Sequence, residues 1–168
     1  LVSHNELQGI PEKYEKKIIY IGNIIKKEII EFSNKEKLIQ SKDKLKVLIL
    51  GGSQAAKVFG ENLPLIFKEC KKKGISLKIY QHCLPYQNEK IKSFYKNANI
   101  DYEIFNFSDD LINYFSKINL AITRSGSSIL AELTNANIPF ITIPLPSSAD
   151  DHQLKNAIYY QNKNFSLL

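Results

Sequence analysis

The sequence has no methionine and no tryptophan among its 168 residues, and it has only two cysteines. Cys70 and Cys83 form neither a C-x-x-C motif nor a metal-ligand spacing, which excludes a dithiol redox centre and a cysteine-based zinc site. We expect reduced thiols in or near the core of a cytoplasmic protein. Because position 1 is not methionine and the sequence ends on a strand-like run at 165–168, we expect a fragment of a longer gene product, cut at both ends.

Long apolar runs and an amino-terminal secretory signal are also missing from the sequence. Hydrophobic residues make up 43% and charged residues 24% of the chain, as in ordinary globular proteins. A chain of this length is sufficient for one domain with a real core. The composition therefore excludes a membrane-spanning protein and predicts a globular domain.

Arginine is nearly absent, since Arg124 is the only one although the net charge is +6. Nucleic-acid-binding proteins use arginine forks and clustered basic faces, whereas these lysines are scattered apart from a triplet at 71–73. The triplet suits the carboxyl end of a helix, where cations interact favourably with the helix dipole. We therefore predict no nucleic-acid partner, and a weak attraction of the triplet to anionic lipid is the alternative.

Apolar runs typical of strands alternate with segments of helical periodicity. The predicted strands cover 18–21, 47–50, 77–80, 102–105, 120–122 and 140–143, and the predicted helices cover 54–72, 89–97, 109–117, 127–135 and 151–162. This alternation predicts an α/β fold, a Rossmann-like parallel sheet with helices on both faces. We expect a leading segment or linker over 1–16, a single domain over 17–168, and a surface loop within the lysine-rich stretch 31–46.

The loops that follow the strands are the candidate sites, because ligands on such sheets bind at the carboxyl ends of the strands. Gly51, Gly52 and Ser53 stand between the run 47–50 and a predicted helix. Glycines let backbone N–H groups approach an anion, and Ser53 can cap the helix or bond a phosphate oxygen. On local sequence alone a plain tight turn is the stronger interpretation, since the motif is neither G-x-G-x-x-G nor Walker A, and a phosphate site is the alternative.

The loop after 120–122 has a similar composition. Ser125, Gly126, Ser127 and Ser128 supply hydroxyls and N–H donors at the start of another predicted helix. Glu132 lies roughly one and a half turns further along, close enough to reach a ribose diol. The alternative is a capped helix with Glu132 in an ordinary salt bridge, but two such loops in one sheet favour a phosphate ligand.

The loop at 144–157 leads into the last predicted helix. Asp150 or Asp151 is predicted to cap that helix, and Gln153 is placed to fork onto two sugar hydroxyls. A lone histidine beside helix caps is more often structural or solvated than a ligand, and this is the stronger interpretation of His152.

The loop after the fourth predicted strand and the other histidines give weaker signals. Ser108 or Asp109 is predicted to cap a helix, and Asp110 suits the dipole of that helix. His82, after the third predicted strand, and His4, in the leading segment, have weaker claims than His152 to bind a ligand.

Together these loops resemble the carboxyl-terminal half of the MurG-type glycosyltransferases, the UDP-N-acetylglucosamine:lipid-linked muramoyl-pentapeptide N-acetylglucosaminyltransferases of bacterial cell-wall synthesis. The residues that carry the resemblance are Gly22 and Asn23, the runs 50–54 and 107–110, the run 124–126 with Glu132, and the run 151–153 with Asn156 and Ala157. They occur in the family's order and spacing over about 18–160. The resemblance implies the donor-binding half of a GT-B glycosyltransferase, truncated at its carboxyl end and without the amino-terminal acceptor domain.

The resemblance also implies roles for individual residues. Ser53 and the backbone of Gly51 and Gly52 would meet the diphosphate, and the Ser108 backbone would meet uracil. Lys26 stands where the family usually has an arginine near uracil and the phosphates. Glu132 would bind the ribose, and His152 with Gln153 would bind N-acetylglucosamine. The residues implied around the phosphates or sugar are Arg124, Ser125, Gly126, Ser127 and Ser128.

The chemistry of sugar transfer agrees with these roles. UDP leaves in the reaction, and N–H dipoles at two helix ends would stabilise the charge that develops on the diphosphate. No D-x-D motif lies in a suitable loop, so we expect neither a metal nor another cofactor. In the family, the general base, the acceptor-lipid site and the membrane-facing patch belong to the amino-terminal half.

The resemblance therefore implies a hexosyltransferase with two partners, UDP-N-acetylglucosamine and the lipid-linked muramoyl-pentapeptide. The whole enzyme would be peripheral on the cytoplasmic face of the bacterial inner membrane. The fragment itself would be soluble, cytoplasmic and inactive alone.

Three other hypotheses stay open at this point. The first is a non-catalytic UDP-sugar-binding subunit that needs a separate acceptor-binding chain. The second is a UDP-N-acetylglucosamine 2-epimerase-like domain. A dinucleotide oxidoreductase domain is the third, although the missing G-x-G-x-x-G motif argues against it.

Overall fold

The computed structural model describes residues 1–2, 10–33, 43–108 and 110–168, with the backbone alone at 53–56. Predictions for His4, for Asp109, for the Ser53 side chain and for the part of the surface loop at 34–42 lie outside the described residues. Among the described helices, none has the length and apolar character that a membrane crossing requires.

Six strands form one sheet. They are β1 (Leu45–Leu50), β2 (Leu77–His82), β3 (Asp101–Phe105), β4 (Leu120–Thr123), β5 (Phe140–Thr142) and β6 (Ser166–Leu167). Their spatial order is β3-β2-β1-β4-β5-β6, and every neighbouring pair is parallel. The strands from β1 to β5 match predicted runs, because apolar side chains buried on both faces of a parallel sheet give continuous apolar sequence.

Seven helices are described around the sheet. They are α1 (Glu12–Glu15), α2 (Lys27–Ser33), α3 (Ser53–Lys72), α4 (Asn88–Asn97), α5 (Ile112–Phe115), α6 (Ser127–Asn135) and α7 (His152–Asn162). Alternate residues of β1 face two separate cores: Val47 and Ile49 pack with α3 and α4, and Leu48 packs with α2, α5 and α6. The predicted Rossmann-like sheet with helices on both faces is therefore confirmed.

The predicted strand at 18–21 is wrong, and one helix nearby was not predicted. The run 18–21 is no strand of the sheet: Tyr20 makes only an isolated bridge to Val2. Ile19 is 60% exposed, so the apolar run has strand-like composition without a sheet edge to cover it. Helix α2 covers 31–33 of the stretch that was expected to contain a surface loop, and its Ile29 is buried in the core.

The predicted helix at 109–117 is much shorter in the structure. Only Ile112–Phe115 is helical, and Phe115 is buried in the core. The Asn119 N–H donates to the carbonyl of Lys46, so the chain already joins the sheet two residues after the predicted end of the helix. The short connection between β3 and β4 therefore leaves no room for a longer helix.

Candidate functional site

The carboxyl ends of β1 and β4 meet where the strand order of the sheet reverses. The connection from β1 leads to one side and the connection from β4 leads to the other, so the two loops separate and leave a crevice. The register pairs Leu50 with Thr123, and the residues that follow them are therefore neighbours. A cleft of about 570 Å³ opens here, lined in part by Gly51, Gly52 and Gly126.

Helices α3 and α6 both begin at this cleft without a capping side chain. Gly52 precedes α3 with φ −62° and ψ 175°, and Gly126 precedes α6 with φ −70° and ψ 136°. Neither first turn contains an acidic residue. Two sets of free N–H groups and two positive helix ends therefore lie at one cleft, an arrangement that favours anions.

The protein's own structure does not require glycine at these two positions. Both have φ values that any residue adopts. Among the described residues, a Cβ placed on Gly52 would meet nothing within 4 Å, and one on Gly126 would meet only Ile129 Cγ2 at 3.8 Å, an ordinary contact. Because both residues line the cleft, their missing side chains leave space for a ligand close to the backbone.

Arg124 lines the cleft and also ties two loops together. Its Nη1 donates to the carbonyls of Ile143 at 2.9 Å and Pro144 at 2.8 Å, and its guanidinium carbon lies 5.0 Å from the ring centroid of Phe59. Burial lowers the pKa of the guanidinium below its usual value. Among the described residues it makes no ion pair. The half-buried positive charge therefore has no anionic partner among the described residues.

The three serines around Gly126 lie in different environments. Ser125 is fully buried, and its carbonyl accepts a 2.9 Å hydrogen bond from Asn156 Nδ2. Ser127 is half-buried and Ser128 is exposed, both in the first turn of α6. None of the three serines is among the described lining of the cleft, which this loop lines with Arg124 and Gly126.

Gln153 reaches the cleft from the start of α7, and its neighbours do not. Its Oε1 accepts a 3.0 Å hydrogen bond from Leu145 N, which leaves the Nε2 donors for a ligand. His152 is exposed, and its Nδ1 lies 2.8 Å from Ala149 O. The predicted side-chain cap is wrong, since Asp151 precedes α7 in the left-handed region (φ 52°) without a capping hydrogen bond.

One end of the cleft is mainly apolar and aromatic. Phe105 lines it from the end of β3 and His82 from the end of β2, and the loop after β3 adds Phe107, Ser108 and Leu111. Phe107 is 77% exposed, an unusual position for a large ring. Ser108 does not cap a helix here, because α5 begins only at Ile112 and is preceded by Leu111. Sequence reasoning missed the aromatic lining, although its position directly after strands was the available signal.

Lys26 and Glu132 lie in a neighbouring depression and not in the main cleft. This depression has a volume of about 480 Å³, and Asp110 and Leu111 also line it. Leu111 borders both cavities, so the two are adjacent. Glu132 therefore lies beside the main cleft and not in it.

Carboxylates are absent from the described lining of the main cleft. Among the described residues, no group of three or more His, Cys, Asp or Glu side chains is arranged to hold a metal ion. The electrostatic character of the cleft is set by Arg124 and by two helix amino-termini.

A family model decides the relationship of the chain to known proteins. The model described as the glycosyltransferase family 28 C-terminal domain matches residues 46–168. This chain belongs to that family. All residues that line the main cleft lie inside the matched range, whereas Lys26 and the leading segment lie outside it.

Curated relatives of this family 28 domain have one recurrent name. The chain is 39% identical over 164 residues to the UDP-N-acetylglucosamine--N-acetylmuramyl-(pentapeptide) pyrophosphoryl-undecaprenol N-acetylglucosamine transferase of Pelagibacter ubique, covering 98% of the chain and 45% of the relative. The protein of that name from Rickettsia bellii is 36% identical over 159 residues, covering 93% of the chain and 45% of the relative. The chain thus spans less than half the length of these relatives. The resemblance to MurG-type glycosyltransferases is confirmed.

Solved structures agree with the family 28 assignment. The crystal structure of Acinetobacter baumannii MurG superposes with a TM-score of 0.67 at 30% identity, over 76% of this chain and 37% of that one. The glycosyltransferase of kitacinnamycin superposes with a TM-score of 0.56 at 13% identity, over 91% of this chain and 36% of that one, which shows the fold alone.

Proposed function

We propose that this chain is the donor-binding half of an inverting hexosyltransferase that moves N-acetylglucosamine from UDP-N-acetylglucosamine to a lipid-linked muramoyl-pentapeptide. The observation that carries the proposal is the pair of uncapped helix starts at the switch point of the sheet, each preceded by a glycine that the fold itself does not need. The names of the relatives supply the nucleotide sugar and the acceptor.

The lining of the cleft suggests how the donor would lie. The diphosphate would bind the N–H groups at 51–53 and 126–129, with Arg124 completing the positive field. Uracil would lie at the apolar end against the backbone of Ser108. Glu132, from the adjacent depression, would accept hydrogen bonds from the ribose hydroxyls, and Lys26 would lie beside it.

The sugar would lie at the opposite end of the cleft. Gln153 is available there because its Oε1 is fixed by Leu145 N and its Nε2 donors are not. His152 would need to turn from its contact with Ala149 to join it. The predicted roles of Ser125, Ser127 and Ser128 would be carried by their backbone rather than by their hydroxyls.

The proposed chemistry uses charge stabilisation on the leaving group. As the bond from the sugar to the diphosphate breaks, negative charge grows on UDP, and fixed amide dipoles stabilise this charge without reorganising. We propose that these dipoles and Arg124 act without a metal ion. The base that removes the proton from the acceptor hydroxyl, the acceptor-lipid site and the peripheral membrane contact would be supplied by the part of the relatives that this chain does not span.

Calorimetric titration tests the proposal directly. We expect the chain to bind UDP and UDP-N-acetylglucosamine and to bind NAD much more weakly. Glu132→Ala should weaken UDP binding about tenfold, because a charged hydrogen-bond acceptor for the ribose is lost. Glu61→Ala is the matched control, since Glu61 is an exposed carboxylate on α3 away from the cleft.

Two results would contradict the proposal. Tighter binding of NAD than of UDP would assign the cleft to a dinucleotide. Equal UDP affinities of Glu132→Ala and Glu61→Ala would show that Glu132 does not bind the ribose, and the diphosphate would still be assigned to the glycine loops.

A further inference from the structure

The loop after β3 is attached to the loop after β2 through one residue, Asn106. Asn106 Nδ2 donates to Asn88 Oδ1 at 2.8 Å and to the Cys83 carbonyl at 2.9 Å, and Asn106 Oδ1 accepts from Asn88 Nδ2 at 3.0 Å. The carbonyl of Asn106 lies 2.9 Å from His82 Nε2. A carbonyl only accepts, so this imidazole nitrogen carries the proton.

The partner side of this arrangement is rigid. Asn88 is the first residue of α4, which is anchored in the core by Ile91 and Tyr95. The Cys83 thiol donates to Asn88 Oδ1 at 3.1 Å and so orients its amide. The two asparagine amides thus form a reciprocal pair on a fixed support.

The loop side of the arrangement leads into the cleft. The residues directly after Asn106 are Phe107 and Ser108, and both line the apolar end where uracil is proposed to bind. Neither residue belongs to a helix or a strand. The position of their backbone is therefore set by the hydrogen bonds of the residue before them.

We infer that the Asn88/Asn106 pair, with the His82 contact, is a clamp that positions the 106–108 loop for recognition of the nucleobase. The inference rests on the proposed function, since it assigns the base-reading part of the same site. Asn106 is a positioning residue: it acts through the backbone of Ser108. Because the pair is solvent-exposed, its contribution to global stability is small and its effect is confined to the loop.

Titration of UDP and of inorganic pyrophosphate separates the base from the diphosphate. Asn106→Ala should weaken UDP binding about tenfold, because part of the binding free energy must then be used to order the loop. The same variant should change pyrophosphate binding less than twofold. Asn62→Ala is the matched control, since Asn62 Nδ2 donates to Val58 O on exposed α3. That variant should bind both ligands like the parent chain.

Aspartate variants distinguish the clamp from a general structural role of the two asparagines. Asn88→Asp still accepts from Asn106 Nδ2, whereas Asn106→Asp has no donor and places its carboxylate against the Cys83 carbonyl. Both add the same charge within a few ångströms of each other. We expect Asn106→Asp to weaken UDP binding at least threefold more than Asn88→Asp, and His82→Gln, which keeps a donor, to bind UDP better than His82→Leu.

The outcomes separate this inference from the proposed function. If the parent chain binds pyrophosphate but not UDP, both fail. If it binds UDP and Asn106→Ala binds UDP equally well, the clamp is wrong and the proposed function stands. Equal loss of UDP and pyrophosphate in Asn106→Ala would also overturn the clamp, because the effect would then not be specific to the base.

Discussion

At the scale of single residues, the glycines before α3 and α6 separate the needs of the fold from the needs of a ligand. A glycine is usually explained by a positive φ or by a crowded neighbour. Gly52 and Gly126 have neither explanation, whereas Gly74, after the end of α3, has φ +85° and so meets the first one. The same residue type therefore has two different reasons to be present in this chain.

Gly52→Ala should leave the fold intact and impair the site. Its φ and ψ suit alanine and its Cβ has space, so the free energy of unfolding should stay the same or rise by up to about 1 kcal/mol. UDP binding should weaken at least tenfold, because the methyl group would occupy space needed by the diphosphate. Urea denaturation and calorimetry measure the two effects.

Gly74→Ala provides the opposite control. Forcing alanine into the left-handed region should lower the free energy of unfolding by roughly 1 kcal/mol. UDP affinity should stay unchanged, since Gly74 does not line the cleft. Loss of stability in Gly52→Ala with unchanged UDP affinity would refute the ligand-based explanation.

At the scale of helices and strands, local sequence predicts the elements that bury a continuous apolar face. The predicted helix 127–135 is α6 as observed, because its apolar face packs on the sheet. Helix α2 was missed because Ile29 is its one buried residue among polar neighbours, with Phe32 only partly buried. The partners of Asn106 were missed because they lie 18 to 24 residues earlier in the sequence, where no periodicity links them.

The packing of α5 on β3 also makes stability depend on alkaline pH. Burial, with the nearby Glu103 carboxylate as the second cause, raises the pKa of Tyr114 to about 12, and its hydroxyl donates to Glu103 Oε1 at 3.1 Å. Burial also raises the pKa of Tyr95 on α4. Since unfolded tyrosine ionises near pH ~10, the stabilisation is complete below that pH and is lost as the pH rises toward 12.

Chemical denaturation between pH 8 and 12 checks this dependence. The free energy of unfolding should fall above about pH 10, and the fall should be shallower in Tyr114→Phe, which has no hydroxyl to ionise. Tyr86→Phe is the control, because Tyr86 is 69% exposed. A Tyr114→Phe curve parallel to that of the parent chain would contradict the assignment to Tyr114.

At the scale of the whole molecule, the order of the strands creates the site. Sequence predicted the loops that follow the strands, but the adjacency of β1 and β4 depends on the pairing of Leu50 with Thr123 across the sheet. Helix α6 likewise places Glu132 in the neighbouring depression, a position that spacing along the chain does not predict. The location of the site is therefore a property of local sequence, and its depth and lining are properties of the assembled sheet.

A ligand held by both halves of the sheet should stabilise the whole domain. At a UDP concentration of one hundred times Kd, linkage adds about 2.7 kcal/mol to the free energy of unfolding, which for a domain of this size raises Tm by roughly 5–10 °C. Thermal melts with and without UDP measure this shift. Gly74→Ala should start from a lower Tm and show the full shift at the same UDP concentration. Gly52→Ala should start at or slightly above the parent Tm, and a tenfold weaker affinity should leave about 1.4 kcal/mol of linkage, roughly half of the shift. Equal shifts in both variants would mean that UDP binds away from the start of α3, because Gly52→Ala changes that start and Gly74→Ala does not.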